Sequence, residues 1–162
     1  MDYLYQKKDE GNGCSMLADF LTTETIKVQV QCNDWQAAFK AGAELLEKVQ
    51  GVGPDYGEAI IRYHLRLGPY MVVAPGIVLA HARPQEGVLK TSMSMMTLQS
   101  PIFFGNSRND PVKLVITFAA VNDKSHLRLL ADLMELLMNP EEVQSIIQAQ
   151  DIQEVLAVIA RY

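Results

Sequence analysis

The chain has 162 residues, of which 49% are hydrophobic and 20% charged, a balance that supports one domain-sized core and excludes a disordered chain. Its formal net charge of -5 argues against a nucleic-acid partner, because proteins that bind phosphate backbones carry a basic face. The sequence has no apolar run of bilayer-spanning length and no signal-peptide core, so we expect a cytoplasmic protein that does not insert into a membrane.

The first part of the chain predicts one strand followed by two helices. Residues 1–15 are polar and punctuated by glycine, and we expect them to be a flexible leader ahead of a single domain at 16–162. Apolar residues alternate over 26–32, the period of a half-buried strand. A helix capped at position 33 or 34 follows and ends near residue 51. A second helix runs from about residue 54 to the Gly-Pro pair at 68–69, which cannot continue it.

Four further strands are predicted in the middle of the chain, at 70–74, 77–80, 92–98 and 113–120. The last contains the continuous apolar run LVITFAA, which is typical of a strand covered on both faces and therefore central in its sheet. The three methionines of the 92–98 run are expected to fill the core.

The last part of the chain predicts three helices. Capping oxygens of Asn122, Asp123 and Ser125 precede a leucine-rich stripe that ends before Asn139. Proline at position 140 starts a second helix, and Asp151 with an acidic residue three positions later starts a third. Strands interleaved with helices indicate an α/β fold in which a mixed β-sheet is sandwiched between helical layers.

His81 is the first candidate functional residue. It follows the apolar run IVLA and precedes Arg83 and Pro84, so it stands where a strand gives way to a loop. Ligands of open α/β sheets bind at strand ends, where a neutral imidazole can act as nucleophile, metal ligand or general base. Position alone leaves these roles and a purely structural one open. Arg83 could hold a transferred phosphoryl group through charge-assisted hydrogen bonds, or contact an acidic partner or solvent.

His126 has a similar position, after the strand LVITFAA and in the first turn of the following helix. Unpaired N–H groups and the helix dipole favour an anion there and disfavour extra positive charge. We therefore expect a neutral histidine that donates a hydrogen bond to phosphate, with simple capping or surface packing as the alternative. The third histidine, His64, lies between Arg62 and Arg66, which predicts a solvated helical face.

Several other kinds of site are disfavoured. Cys14 and Cys32 are too few for a disulfide framework or a zinc site, and we interpret both as reduced thiols. The sequence contains neither GxxxxGK[ST] nor GxGxxG, which argues against direct use of a nucleotide. We expect no metal and no cofactor.

A resemblance to a known family rests on two stretches, GPYMVVAPGIVLAHARPQEGVLKTSMSMMTL and NDPVKLVITFAAVNDKSHLRLL. They carry a histidine motif, a strand that follows the residues KT, and a second histidine after an apolar strand. In this order and spacing the chain resembles the cytoplasmic IIA component of the bacterial phosphoenolpyruvate-dependent sugar phosphotransferase system, mannitol/fructose class. From about Met16 to the C-terminus it is most similar to the branch that serves ascorbate-type permeases.

The resemblance implies that the protein is a phosphotransferase with the fold of that class. It implies that His81 accepts a phosphoryl group from the phosphocarrier protein HPr and passes it to a IIB protein or domain. It also implies that His126 lies beside His81 and stabilises the phosphohistidine. Two departures from the family pattern stand out: Ala80 replaces the usual proline before the histidine, and Tyr63 occupies the place of an arginine found in mannitol-type members.

Two alternatives to phosphoryl transfer for sugar uptake remain at this point. Because Ala80 lacks the fixed φ of proline, the chain could be a regulatory module whose phosphorylation changes its binding partner and is not coupled to transport. A metal-dependent hydrolase that uses His81 and His126 ranks last, since no carboxylate motif accompanies them.

Overall fold

The computed structural model describes residues 16–122 and 126–162, so the predicted leader and the capping positions 123 and 125 lie outside the described residues. Within these ranges the helices and strands follow one another as α1 (Met16–Phe20), β1 (Ile26–Val30), α2 (Trp35–Lys48), α3 (Tyr56–Leu67), β2 (Val72–Ala74), β3 (Ile77–His81), β4 (Ser92–Ile102), β5 (Val112–Ala119), α4 (Leu127–Leu137), α5 (Pro140–Gln148) and α6 (Ile152–Ile159). A single 3-10 turn, Pro84–Glu86, lies between β3 and β4.

The five strands form one mixed sheet in the order β1-β4-β5-β3-β2. The pairs β1–β4 and β3–β5 are parallel, whereas β4–β5 and β2–β3 are antiparallel. The prediction that the LVITFAA strand is central is confirmed, because β5 is the middle strand and nearly all of its side chains are buried.

Helices cover both faces of the sheet, which confirms the predicted three-layer architecture. On one face, α2 and α3 pack on residues that include Val78, Met96 and Val115. On the other face, α1, α4, α5 and α6 pack on residues that include Met95 and Ile116. Adjacent residues of one strand therefore enter different cores, as the twofold alternation of a strand requires.

The starts of α2 and α6 are fixed by side-chain caps, as the sequence predicts, whereas Asp55 and His126 make no such cap at the starts of α3 and α4. The Asp34 carboxylate accepts the N–H of Ala37 over 2.7 Å at the start of α2. At the start of α6, Asp151 accepts the N–H of Glu154 over 3.0 Å, and the Glu154 carboxylate accepts the N–H of Gln150 over 2.9 Å. The predicted capping-box arrangement is thus confirmed.

Helix α2 approaches the sheet closely at Gly42. The Ser94 hydroxyl donates to the Gly42 carbonyl oxygen over 3.0 Å. A Cβ atom added at Gly42 would lie 2.2 Å from Oγ1 of Thr117 on β5. Only glycine allows this approach, so the seating of α2 on the central strand depends on it.

The structure corrects the expectation for His64, whose side chain is only 6% exposed. Its Nε2 lies 2.8 Å from the carbonyl oxygen of Phe104, and its ring packs against those of Trp35 and Phe39. The expectation was wrong because neighbours two positions away on a helix point about 200° around the axis. The flanking arginines therefore indicate an exposed face opposite to that of His64.

Candidate functional site

The carboxyl ends of β3 and β5 lie at the same edge of the sheet, because the two strands are parallel. His81 is the last residue of β3, and it is paired in register with Phe118 near the end of β5. The chain then leaves β5 and returns to this edge at His126, the residue before the first turn of α4. The predicted candidates His81, Arg83 and His126 thus line one cavity of about 340 Å³.

His81 is half-buried, and its ring is oriented by the main chain. Its Nδ1 lies 2.9 Å from the carbonyl oxygen of Leu79, two residues earlier. Because a carbonyl oxygen can only accept, Nδ1 carries the hydrogen, and the neutral ring then has a bare lone pair on Nε2. The Tyr70 ring also packs against the imidazole in a T-shaped arrangement, with the centroids 5.8 Å apart and the planes at 88°.

His126 is held in the same way. Its Nδ1 lies 2.5 Å from the carbonyl oxygen of Asn122, and its ring centroid is 5.3 Å from that of Phe118. The neutral ring therefore has its hydrogen on Nδ1 and a bare Nε2. This corrects the expectation of a neutral hydrogen-bond donor: in this tautomer His126 can donate from Nε2 only when the ring is protonated.

Arg83 lies two residues after His81, just before the 3-10 turn. Its guanidinium forms no hydrogen bond or ion pair with another side chain of residues 16–122 or 126–162, so its donors are available to a ligand. The turn itself is tied to α3, because the Glu86 carboxylate accepts from Tyr63 over 2.9 Å and from Arg62 over 2.8 Å.

Aromatic and apolar side chains complete the cavity wall. They are Tyr63, Leu67, Tyr70, Ala82, Pro84, Phe118 and Ala120. Burial raises the pKa of Tyr63 and that of Tyr70, so both phenols stay neutral at ordinary pH. No role for Tyr70 or Phe118 is predicted from the sequence, because each lies in a segment whose local pattern indicates only a strand.

Two general features of the described residues bear on the site. They contain no group of three or more His, Cys, Asp or Glu side chains that could hold a metal ion. None of their helices is both long enough and apolar enough to cross a bilayer.

Comparison with known proteins defines the family. The family model described as phosphoenolpyruvate-dependent sugar phosphotransferase system, EIIA 2, matches residues 19–162. The chain belongs to this family, and it is a phosphotransferase component of a sugar phosphotransferase system.

Curated relatives identify a branch that the chain resembles. The ascorbate-specific PTS system EIIA component of Salmonella typhimurium is 38% identical over 138 residues, which cover 85% of this chain and 90% of the relative. Its counterpart in Escherichia coli K12 is 37% identical over 139 residues, with the same coverage of both chains.

Solved structures share the fold. The solution structure of the mannitol-specific cryptic phosphotransferase enzyme IIA from Escherichia coli superposes with a TM-score of 0.83 at 32% identity, covering 91% of this chain and all of that one. The enzyme IIA of the mannitol system, solved in complex with phosphorylated enzyme IIB from Escherichia coli, superposes with a TM-score of 0.76 and covers 87% of this chain and 97% of that one. At 22% identity, the second likeness concerns the fold alone.

Proposed function

We propose that Nε2 of His81 accepts a phosphoryl group from phosphorylated HPr and passes it to a IIB component, for the uptake and phosphorylation of an ascorbate-like sugar. In this proposal residues 16–162 act as one domain in the cytoplasm. The main support is that His81 and His126 line the same cavity, each with Nδ1 anchored to a backbone carbonyl. Both rings then leave Nε2 available for chemistry.

The transfer step follows from this tautomer. The lone pair on Nε2 of His81 attacks the phosphorus of the donor phosphohistidine in line with the breaking bond. The new N–P bond forms as the old one breaks, and the electron pair returns to the donor imidazole. Fixing Nδ1–H on the Leu79 carbonyl prevents the ring from presenting the wrong nitrogen. Transfer to the IIB component is the same step with His81 as donor.

Positive charge around the cavity stabilises the phosphoryl oxygens. The Arg83 guanidinium is unpaired with other described side chains, and charge-assisted hydrogen bonds from it suit an equatorial oxygen. His126 contributes as the protonated ring, donating from Nε2 while Nδ1–H remains on Asn122. The dipole at the start of α4 favours the phosphoryl anion, and the anion in turn offsets the opposition of the same dipole to a protonated His126.

Exposed apolar side chains at this edge suit docking of protein partners. Leu67 and Tyr70 line the cavity and are 60% and 46% exposed, and Leu127, next to His126, is 64% exposed. An apolar rim around a charged centre is typical of protein interfaces. We assign it to HPr and the IIB component in turn, since both must bring their reacting atom to the same histidine.

The regulatory alternative rests on Ala80. In the structure Ala80 is fully buried and paired with Thr117 of β5, and His81 is paired with Phe118. Pairing with β5 thus restrains the backbone at the position where the family has proline. This restraint favours an active phosphoryl carrier over a regulatory module. A protein that is phosphorylated at His81 and never delivers the group to a IIB component would instead favour the regulatory module.

The test is incubation with phosphoenolpyruvate, enzyme I and HPr, followed by mass spectrometry of the intact protein. We expect one added phosphoryl group that is labile to acid, as a phosphohistidine is, and its loss when a cognate IIB component is added. His81→Ala should remain unlabelled, whereas His126→Ala should be labelled slowly. A labelled His81→Ala protein would contradict the assignment.

A further inference from the structure

We propose that Tyr56 is a positioning residue for the transfer: its hydroxyl, inserted between the ends of β3 and β5, sets the place of His81 relative to His126. This inference rests on the proposed function of the two histidines. Tyr56 is the first residue of α3, and its side chain is fully buried. Its hydroxyl oxygen lies 2.7 Å from the carbonyl oxygen of Phe118 and 3.0 Å from the amide nitrogen of Ala82.

The hydroxyl takes the place of a rung in the β-ladder. In a parallel pair, the N–H of the residue after one partner donates to the carbonyl of the other partner. His81 is paired with Phe118, so the Ala82 N–H would donate directly to the Phe118 carbonyl if the ladder continued. Instead, the Tyr56 hydroxyl accepts from Ala82 and donates to Phe118. The hydroxyl thereby connects the ends of the two strands at the edge where the cavity lies.

This arrangement reaches both histidines. Ala82 directly follows His81, so its anchored amide fixes the chain on the loop side of the imidazole. Phe118 packs its ring against that of His126 at a centroid distance of 5.3 Å, and both Ala82 and Phe118 line the cavity. The Tyr56 hydroxyl therefore links the backbone next to His81, the proposed phosphoryl acceptor, to Phe118. The Phe118 ring in turn packs against His126.

The start of α3 is itself anchored to the loop that follows His81. The Gly53 N–H donates to the Gly87 carbonyl over 2.9 Å, and the Leu89 N–H donates to the Gly51 carbonyl over 2.8 Å. Tyr56 is thus attached to the loop through its backbone neighbours as well as through its hydroxyl. Burial raises the pKa of Tyr56 to about 12, so the hydroxyl keeps the hydrogen that it donates to Phe118.

Removal of the hydroxyl has a defined consequence. In Tyr56→Phe, the Ala82 N–H and the Phe118 carbonyl lose their common partner and remain unpaired, so the ends of β3 and β5 are no longer held in place. A misplacement of about 1 Å at a reacting centre can cost roughly 10²-fold in rate. We expect kcat for transfer from phosphorylated HPr to fall by about tenfold or more. KM for phosphorylated HPr should change little, because the exposed apolar rim is untouched.

The matched control is Thr97→Val, which also removes a buried hydroxyl that accepts a backbone N–H. The Thr97 hydroxyl accepts from Gln29 over 2.8 Å, where β4 meets β1 at the far side of the sheet from β3. Both variants are compared with wild type in the full chain, under conditions where unfolding curves show all three to be folded. We expect Thr97→Val to lose stability while keeping the wild-type kcat.

Two structural readouts accompany the kinetics. Hydrogen exchange should show loss of protection at the Ala82 amide in Tyr56→Phe, and 15N spectra should show a changed His81 ring environment. If Tyr56→Phe is phosphorylated as fast as Thr97→Val, Tyr56 does not position His81 for the transfer. This conclusion holds when wild type is phosphorylated as proposed. Failure of wild type to be labelled would instead contradict the proposed function. If the Ala82 amide remains protected from exchange in Tyr56→Phe, the Tyr56 hydroxyl is not the partner that protects it, and the proposed insertion of this hydroxyl into the ladder is wrong.

Discussion

Tyr63 donates its hydroxyl hydrogen to Oε1 of Glu86 over 2.9 Å, while Arg62 donates to the second oxygen of the same carboxylate over 2.8 Å. Both donors lie on α3, and Glu86 ends the 3-10 turn that follows Arg83. The hydrogen bond from Tyr63, with that from Arg62, lowers the pKa of Glu86, so the carboxylate stays charged near neutral pH. The turn next to Arg83 is therefore held against a helix that lines the cavity.

Replacing Glu86 tests whether this tether matters for transfer. We expect Glu86→Ala to slow phosphorylation of His81 by roughly tenfold, because the turn that carries Arg83 loses its fixed place. Thermal stability should change little, since Arg62 is exposed and Glu86 partly so, and such ion pairs contribute little. The control is Glu142→Ala, which breaks an ion pair with Arg161 and touches no residue of the cavity. Equal transfer rates in the two variants would contradict this role of the tether.

Phosphorylation of His81 should draw a proton onto His126. Since Nδ1 of His126 already holds its hydrogen on the Asn122 carbonyl, donation from Nε2 to the phosphoryl group requires a second proton. Proton uptake on phosphorylation means that raising the pH opposes the phosphorylated state. The phosphorylated fraction at a fixed ratio of donor to acceptor should therefore fall as the pH rises.

The control for this effect is His126→Ala, whose pH dependence reports that of the donor alone. The difference between wild type and variant is the contribution of His126. The 15N spectra of the phosphorylated protein should show hydrogens on both nitrogens of His126. If the phosphorylated fraction depends on pH in the same way in both proteins, and Nε2 of His126 carries no hydrogen, then His126 is not a charged donor to the phosphoryl group.

The close approach of α2 to the sheet predicts a steric effect at Gly42. In Gly42→Ala the new Cβ would lie 2.2 Å from Oγ1 of Thr117, which far outweighs the helical preference for alanine. We expect a loss of roughly 1–3 kcal/mol in the free energy of unfolding, as measured by urea denaturation. Thr117→Ala in the same chain should restore part of this loss, because it removes the colliding oxygen. Additive effects of the two substitutions would contradict the collision.

The buried His64 predicts loss of stability in acid. Burial lowers the pKa of His64, so the folded state disfavours the protonated ring. An unfolded chain binds that proton at its usual pKa of about 6.5, and stability present above this pH is therefore lost as the pH falls below it. His64→Phe, measured by urea unfolding between pH 7.5 and pH 5, should lose less stability on acidification than wild type. Parallel pH profiles of the two proteins would contradict this.

The sequence predicts the fold well where a single hydrophobic pattern is enough to identify a strand or helix. The apolar run LVITFAA required cover on both faces, and β5 is accordingly the central strand. The pattern was less informative at Ser100 and Pro101, which resemble a loop although β4 continues to Ile102. The short α1 at Met16–Phe20 is also not predicted from the sequence, because five residues are too few to show helical periodicity.

Part of the candidate site could likewise be predicted from the sequence, and part could not. His81, Arg83 and His126 could be proposed from the sequence because each stands next to a strand end or a helix start. The tautomer of His126 and the insertion of Tyr56 into the ladder could not, since they depend on which carbonyl a side chain reaches after folding. His64 was misplaced because adjacent charges in sequence do not lie on the same face of a helix.

The most direct test of the account is to determine which atom carries the phosphoryl group. Protein labelled with 15N at histidine is phosphorylated by phosphoenolpyruvate, enzyme I and HPr, and the phosphorus-to-nitrogen couplings are then recorded. We expect a single N–P bond at Nε2 of His81, with Nδ1 of the same ring still protonated and bonded to the Leu79 carbonyl. A phosphoryl group on Nδ1 of His81, or on His126 or His64, would contradict the account.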